Sequence, residues 1–105
     1  MVPQPLIIST PSLKMKSTNK KRLEFSPIFE KKLEKAPLEI KTAFRDAIEL
    51  FLEDPNHISL RNHFLYDEYA GIQSIDITGD WRALYREVQD RIIFVELGTH
   101  YELYG

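Results

Sequence analysis

Three apolar runs crowd the C-terminal third of this chain, and the gaps between them are too short for anything but tight turns. Within Gly71–Gly105, GIQSIDITGDWRALYREVQDRIIFVELGTHYELYG, the runs are Ile72–Ile77, Trp81–Val88 and Ile92–Leu97, separated by Thr78-Gly79 and Gln89-Asp90. β-Branched and aromatic residues fill the runs, so the stretch predicts an antiparallel meander. In its middle strand Trp81, Ala83 and Tyr85 fall on one face, and Asp80, Arg82 and Arg86 on the other. A meander needs cover on one face only. The second face is expected to stay open and polar, with an acid and two arginines on it and Gly98-Thr99-His100 and Tyr104 closing the chain.

What covers the first face is legible upstream. Arg22–Phe25 predicts a short strand. Ser26-Pro27 then combines a hydroxyl N-cap with proline at the first helical position, and Ile28, Phe29, Leu33 and Ala36 make an apolar stripe. Pro37 ends that helix and opens a second, where Ile40, Ala43, Phe44, Ala47, Ile48 and Phe51 recur at spacings of three and four. Asp54-Pro55-Asn56 stops it. The expected fold is α+β: a two-layer sandwich with an N-terminal strand and two helices packed on one face of a C-terminal antiparallel meander. His57–Ala70, HISLRNHFLYDEYA, shows no clean period and is expected to be a loop with one helical turn.

The chain of 105 residues is long enough for one domain with a modest core. It has no cysteine, which excludes disulfides and thiolate metal sites. Its longest early apolar run, Leu6-Ile7-Ile8, is far short of a signal-peptide core or a membrane span, so a cytoplasmic protein without membrane contact is expected. Charge divides the chain at Arg22. Residues 1–22 carry Lys14, Lys16, Lys20, Lys21 and Arg22 and no acid. Of the 14 basic and 16 acidic groups, 9 and 16 remain beyond that point, a balance of −7. A body that acidic does not attract nucleic acid in bulk, so any such contact must rest on a local patch. Residues 1–21, broken by Pro3, Pro5 and Pro11, read as a flexible basic extension, and 22–105 as the folded domain.

The second face holds the side chains for one kind of chemistry. Metal-free RNA cleavage needs a base for the 2′-hydroxyl, an acid for the departing 5′-oxygen and cations for the phosphate. His63 and His100 can divide the proton transfers, Asp80 can orient an imidazole or act as base, and Arg82 and Arg86 can hold phosphate through their planar donor forks. Tyr104 can stack a base or donate a hydrogen bond. Plainer roles stand beside these. Trp81 suits the core as well as base stacking, Arg82 and Arg86 can pair with Asp76 or Asp90 across the sheet, and His57 is a surface residue. A metal site from His63, His100 and a carboxylate is conceivable, but no spacing specifies one. No phosphate-binding glycine loop or nucleophile elbow is present.

From about Leu60 onward the chain resembles the RelE/YafQ superfamily of bacterial toxins from type II toxin–antitoxin modules, and most closely its YafQ-like branch. The loop histidine of that branch falls on His63, the Asp-Trp pair on Asp80-Trp81, the Gly-Thr-His on Gly98-Thr99-His100, and the aromatic four residues later on Tyr104. Arg82 stands where RelE-like members carry a functional arginine. Two positions depart from the pattern: a histidine of the family is Asp76 here, and an arginine shortly before Gly-Thr-His is Glu96. The resemblance implies a strand, two helices and a meander. It further implies a metal-independent endoribonuclease that cuts mRNA, typically on the ribosome, without a cofactor, and a cognate antitoxin that silences it. By that resemblance His63, Asp80, His100 and Tyr104 are expected to be catalytic and Arg82 and Trp81 to bind RNA, and Arg86 joins them as RNA-binding by its chemistry as the second arginine of a phosphate clamp. A rival reading, a silent toxin fold that acts only by binding its antitoxin or another protein, draws on Asp76, Glu96 and the acidic body. A gyrase-directed toxin on the same fold fits the Gly-Thr-His ending less well.

The segment before Met15 has no amphipathic period. A chain starting at Met15 is expected to unfold within a few degrees of the full-length protein. A drop of about 10 °C, worth one to three kcal/mol for a domain of this size, would give the extension a structural role.

Overall fold

The computed structural model describes residues 21–105. The basic extension expected over residues 1–21 therefore lies, except for Lys21, outside the described residues. Lys21 itself pairs with Glu87. In chain order the elements are β1 (Arg22–Phe25), α1 (Pro27–Lys35), α2 (Leu38–Glu53), β2 (His63–Phe64), β3 (Gln73–Asp76), β4 (Trp81–Val88), β5 (Arg91–Thr99) and α3 (His100–Tyr104). Single 3-10 turns at Ile58–Leu60 and Asp67–Tyr69 flank β2.

The α+β sandwich is as the sequence predicts. Ser26 caps α1, its Oγ accepting the Phe29 N–H at 3.0 Å and donating to the Val95 carbonyl at 3.2 Å. One hydroxyl thus starts the helix and fixes it to β5. Pro37 begins α2, and Asp54 ends it, its carboxylate accepting the Asn56 N–H at 3.1 Å. Phe29 is fully buried, whereas Ile28, expected on the same stripe, is exposed. A nine-residue helix against a sheet edge covers a narrower arc than the sequence stripe spans.

The sheet runs β1-β5-β4-β3-β2, with β1 parallel to β5 and every other pair antiparallel. β1 takes its place in the sheet as an edge strand, held further by the forked pair of Arg91 to Glu24 at 2.9 and 3.0 Å. Arg91, as hydrogen-bond donor to Glu24, holds that carboxyl below its ordinary value. In β5, Val95 has no partner: Leu84 faces Glu96 and Tyr85 faces Phe94. This bulge brings Phe94 and Leu97, an odd interval apart, onto one face.

That face is the core. The Phe94 ring lies 5.8 Å from Phe25, 5.5 Å from Phe29, 5.8 Å from Phe44, 6.0 Å from Phe51 and 5.4 Å from Tyr85. Ala83, Ile75, Ile92 and Leu97 complete the floor under α1 and α2. Trp81 packs against this cluster while partly exposed, the plainer of its two expected roles.

The second face is not open along its length, as the meander argument alone would have it. Leu84 and Ser74 project to it, yet they are 1% and 0% exposed. α3 folds back over it: a side chain at Gly98 would meet Glu102 Oε1 at 3.0 Å and Leu103 Cδ2 at 3.5 Å. The Tyr69 hydroxyl then donates to the Leu103 carbonyl at 2.9 Å, tying the β2–β3 connection to α3. Five residues too few to show a helical period make this cover.

Phe94→Ala removes a ring from the centre of both layers. The expected loss is about 3–5 kcal/mol, read by urea unfolding of the full chain. A loss below 1 kcal/mol would mean that the ring cluster does not join the layers.

Candidate active site

The second face is built in rows. Across the sheet His63 is level with Ser74, Leu84 and Glu96, and one step along the strands Asp76 is level with Arg82 and Gly98. Residues in register share a face. Arg61, two residues before His63, reaches the same surface, its Nε 2.7 Å from Asp76 Oδ2.

His63 stands in β2, a two-residue edge strand, and not in the loop expected for it. Asn62 explains how so short a strand holds its place. Its side chain turns to the opposite side, donating to the Pro55 carbonyl at 3.0 Å and the Tyr85 hydroxyl at 2.9 Å. Tyr85 also receives the Gln73 amide at 2.6 Å. Burial raises the Tyr85 hydroxyl above its ordinary value, so this node stays protonated well past neutral pH. With Asn62 pinned, alternation sends His63 the other way, and Arg61 reaches that side through its bond to Asp76. His63 Nδ1 sits 2.6 Å from the Arg61 carbonyl. A carbonyl only accepts, so Nδ1 carries the hydrogen and the neutral ring keeps its lone pair on Nε2, free for other work.

The other expected residues gather at the far end of the meander. Thr78 Oγ1 accepts from the Asp80 and Trp81 N–H groups at 3.3 and 3.1 Å, shaping the turn into β4. The Asp80 carbonyl receives the His100 N–H at 2.9 Å, so the two residues are backbone neighbours while both side chains remain exposed. His100 opens α3 behind a reciprocal cap: Thr99 Oγ1 accepts the Glu102 N–H at 3.1 Å, and Glu102 Oε1 accepts the Thr99 N–H at 2.9 Å. The His100 and Tyr104 rings meet edge to face with centroids 4.8 Å apart, and Tyr104 meets Tyr69 at 5.8 Å. Asp80, His100 and Tyr104 therefore form one group at this end, while the Trp81 side chain belongs to the core side of β4.

Arg82 is committed elsewhere. Its side chain is 11% exposed, with Nε 3.1 Å from Asp76 Oδ1 and one terminal nitrogen donating to the carbonyls of Thr78, Gly79 and Trp81 at 3.1, 3.2 and 3.1 Å. It fastens the β3–β4 turn, and the cross-strand pairing with Asp76 expected for it is present. Arg86 is exposed and makes no ion pair among the described residues, but it lies four residues from Arg82, about 13 Å along the strand at 3.3 Å per residue. The structure thus does not bring the two arginines together as a clamp. His63 and His100 are also apart: β2 and β5 stand three strand spacings from each other, about 14 Å. Glu96 is engaged by Lys32 at 2.8 Å.

Three contributors escaped the sequence reading. Arg61 lay in a stretch without period, and nothing in its neighbours marked it. Tyr69 likewise needed tertiary contact to appear. The cap of α3, in contrast, is written in Thr99-His100-Tyr101-Glu102, the hydroxyl-x-x-Glu spacing of a helix start. Among the described residues no three His, Asp or Glu side chains converge as a metal-ion site, and His63 and His100 do not share one.

Comparison with known proteins adds a family and a set of folds. The family model for "Bacterial toxin of type II toxin-antitoxin system, YafQ" matches residues 17–105. No curated protein matches the sequence. Among solved structures, YafQ from E. coli strain BL21(DE3) superposes with a TM-score of 0.70 at 20% identity, covering 82% of this chain and 100% of that one. The E. coli DinJ-YafQ toxin-antitoxin complex gives 0.68 at 19% identity, over 82% and 99%. The Mycobacterium tuberculosis toxin-antitoxin complex RelBE2 gives 0.63 at 21%, over 77% and 99%.

Gly98→Ala pushes a methyl group against Glu102, and Glu102 is held by the Thr99 amide. The expected result is loss of that capping bond, about 1 kcal/mol of stability, with faster amide exchange at the end of α3. Unchanged exchange there would show that α3 does not depend on close approach at Gly98.

Proposed function

The chain belongs to the YafQ family of bacterial toxins of type II toxin–antitoxin systems, and from that premise we propose that it is a metal-independent endoribonuclease of mRNA. The observation that supports this most is His63, exposed on the second face with its tautomer set by the Arg61 carbonyl so that Nε2 is the basic nitrogen. In this reading Nε2 of His63 takes the proton of a ribose 2′-hydroxyl, and the 2′-oxygen attacks the adjacent phosphorus. The bond from phosphorus to the 5′-oxygen breaks, His100 as imidazolium gives its proton to that oxygen, and the products are a 2′,3′-cyclic phosphate and a 5′-hydroxyl.

Asp80, backbone neighbour of His100, brings a carboxylate to the same end of the meander. Tyr104, against the His100 ring, limits its rotation. Arg86, exposed on the same face, is a peripheral phosphate contact, and Trp81 supports the site from the core side of β4. Message bound on the ribosome is the substrate the family suggests.

An antitoxin is the protein partner, as in the DinJ-YafQ and RelBE2 assemblies. The −7 balance beyond Arg22 suits a locally basic docking segment. No helix among the described residues is long and apolar enough to cross a membrane, and action on message places the protein in the cytoplasm. A second reading, a toxin fold that works by binding alone, draws on Arg82, whose guanidinium is spent on Asp76 and three carbonyls.

His100→Ala is expected to slow cleavage of a defined message by about 10²–10⁴-fold and to change stability by no more than about 1 kcal/mol. Growth arrest on induction is the first readout, followed by cleavage with and without ribosomes. Full toxicity in a folded His100→Ala chain removes His100 from the mechanism, and an inert wild type favours the binding-only reading.

A further inference from the structure

The second face carries one carboxylate shared by two arginines of opposite character. Asp76, 16% exposed, accepts a hydrogen bond from Arg61 Nε on Oδ2 at 2.7 Å and forms an ion pair with Arg82, whose Nε lies 3.1 Å from Oδ1, an atom buried without a hydrogen bond of its own. Arg82 is 11% exposed and bound to three carbonyls besides, so it cannot leave without stranding the β3–β4 turn. Arg61 is 60% exposed, and Nε is its one side-chain nitrogen with a partner among the described residues. Its two terminal nitrogens, the half of the fork that grips a phosphate, face solvent.

Arg61 is the exposed partner of this pair, and Asp76 keeps Arg82 as counter-charge when Arg61 departs. The backbone there is set for precision: Arg61 has a φ of 45°, a left-handed conformation that costs a branched or bulky residue free energy and is held only where the surroundings demand it. Its carbonyl is the acceptor that orients His63, and the Asn62 side chain pins the segment from behind. The cation and the imidazole are therefore placed by one short piece of chain.

From this we infer that Arg61 is the phosphate-binding cation of the site, and that Asp76 holds it as an internal stand-in for the phosphate until a single-stranded RNA displaces the carboxylate. The phosphodiester takes both terminal nitrogens in a charge-assisted fork, a stronger contact than the single Nε bond it replaces, beside His63 Nε2. Arg82 remains in place as a positioning residue for the turn and for Asp76. The inference rests on the RNA-cleaving reading.

The test is binding of a short single-stranded RNA with 2′-O-methyl riboses, which lacks the nucleophile, to the full chain by fluorescence anisotropy across a salt series. Arg61→Asn, a side chain that tolerates positive φ, is expected to weaken binding about tenfold and to flatten the log–log salt slope by about 0.7, one phosphate contact on a single strand. Arg61→Lys keeps most of the slope. Asp76→Asn is expected to tighten binding severalfold, and this gain vanishes in the Arg61→Asn background because there is no longer a cation to release. Equal gains in both backgrounds would mean that Asp76 acts only as a nearby negative charge, and unchanged affinity and slope in a folded Arg61→Asn chain would remove Arg61 from the site. Either result overturns the inference while wild-type cleavage stands. A wild type that neither binds nor cuts RNA overturns the nuclease reading, and this inference with it.

Discussion

Phe94 holds the two layers of this protein together. Fully buried, it meets rings from β1, α1, α2 and β4, so one side chain on a central strand touches nearly every element the core contains. Ring pairs at such distances contribute about 0.5–1.5 kcal/mol each beyond their buried area. The bulge at Val95 follows from the same constraint, because the strand that presents Phe94 inward must also present Leu97 inward and leave Gly98 facing α3. Placement of the second face is thus a consequence of packing on the first.

That second face divides into a covered part and a working part. α3 closes over it at Gly98, and Leu84 and Ser74 are buried on it, with Ser74 Oγ and Asp76 Oδ1 buried without a hydrogen-bond partner. Beyond them, His63 and Arg61 come from one side, and His100, Asp80 and Tyr104 from the other. Each side chain is held through its backbone: His63 through Asn62 and Tyr85, His100 through the Asp80 carbonyl and the Thr99 cap. Side chains that must contact a substrate stay exposed, while the bonds that aim them are spent on main-chain atoms and buried polar partners.

Charge on this face is arranged more sparingly than two strand arginines suggest. Arg82 contributes to structure, Arg86 stands remote, and Glu96 is neutralised by Lys32. The cation nearest His63 in the chain is Arg61, in a segment with a left-handed residue and a two-residue strand.

Local information in the chain determined the order of elements. Ser26-Pro27 states a helix start in two residues, Pro37 and Asp54-Pro55 state two boundaries, and the turn at Gln89-Asp90, with Gln89 at a φ of 56°, sets the β4–β5 register that places Tyr85 opposite Phe94. Such signals are readable because they are steric and hydrogen-bonding properties of adjacent residues. The gathering of Asp80 with His100 needed the bulge at Val95 as well, which moves the register by one residue beyond Tyr85. Contacts between distant segments decided the rest: that Arg82 serves a turn while Arg61 stays available, that β2 forms at all, and that α3, tied to Tyr69, closes over Gly98. Those outcomes depend on which polar groups become buried beside each other, and burial is settled by packing across 15 to 34 residues of chain, not by any property of a single stretch.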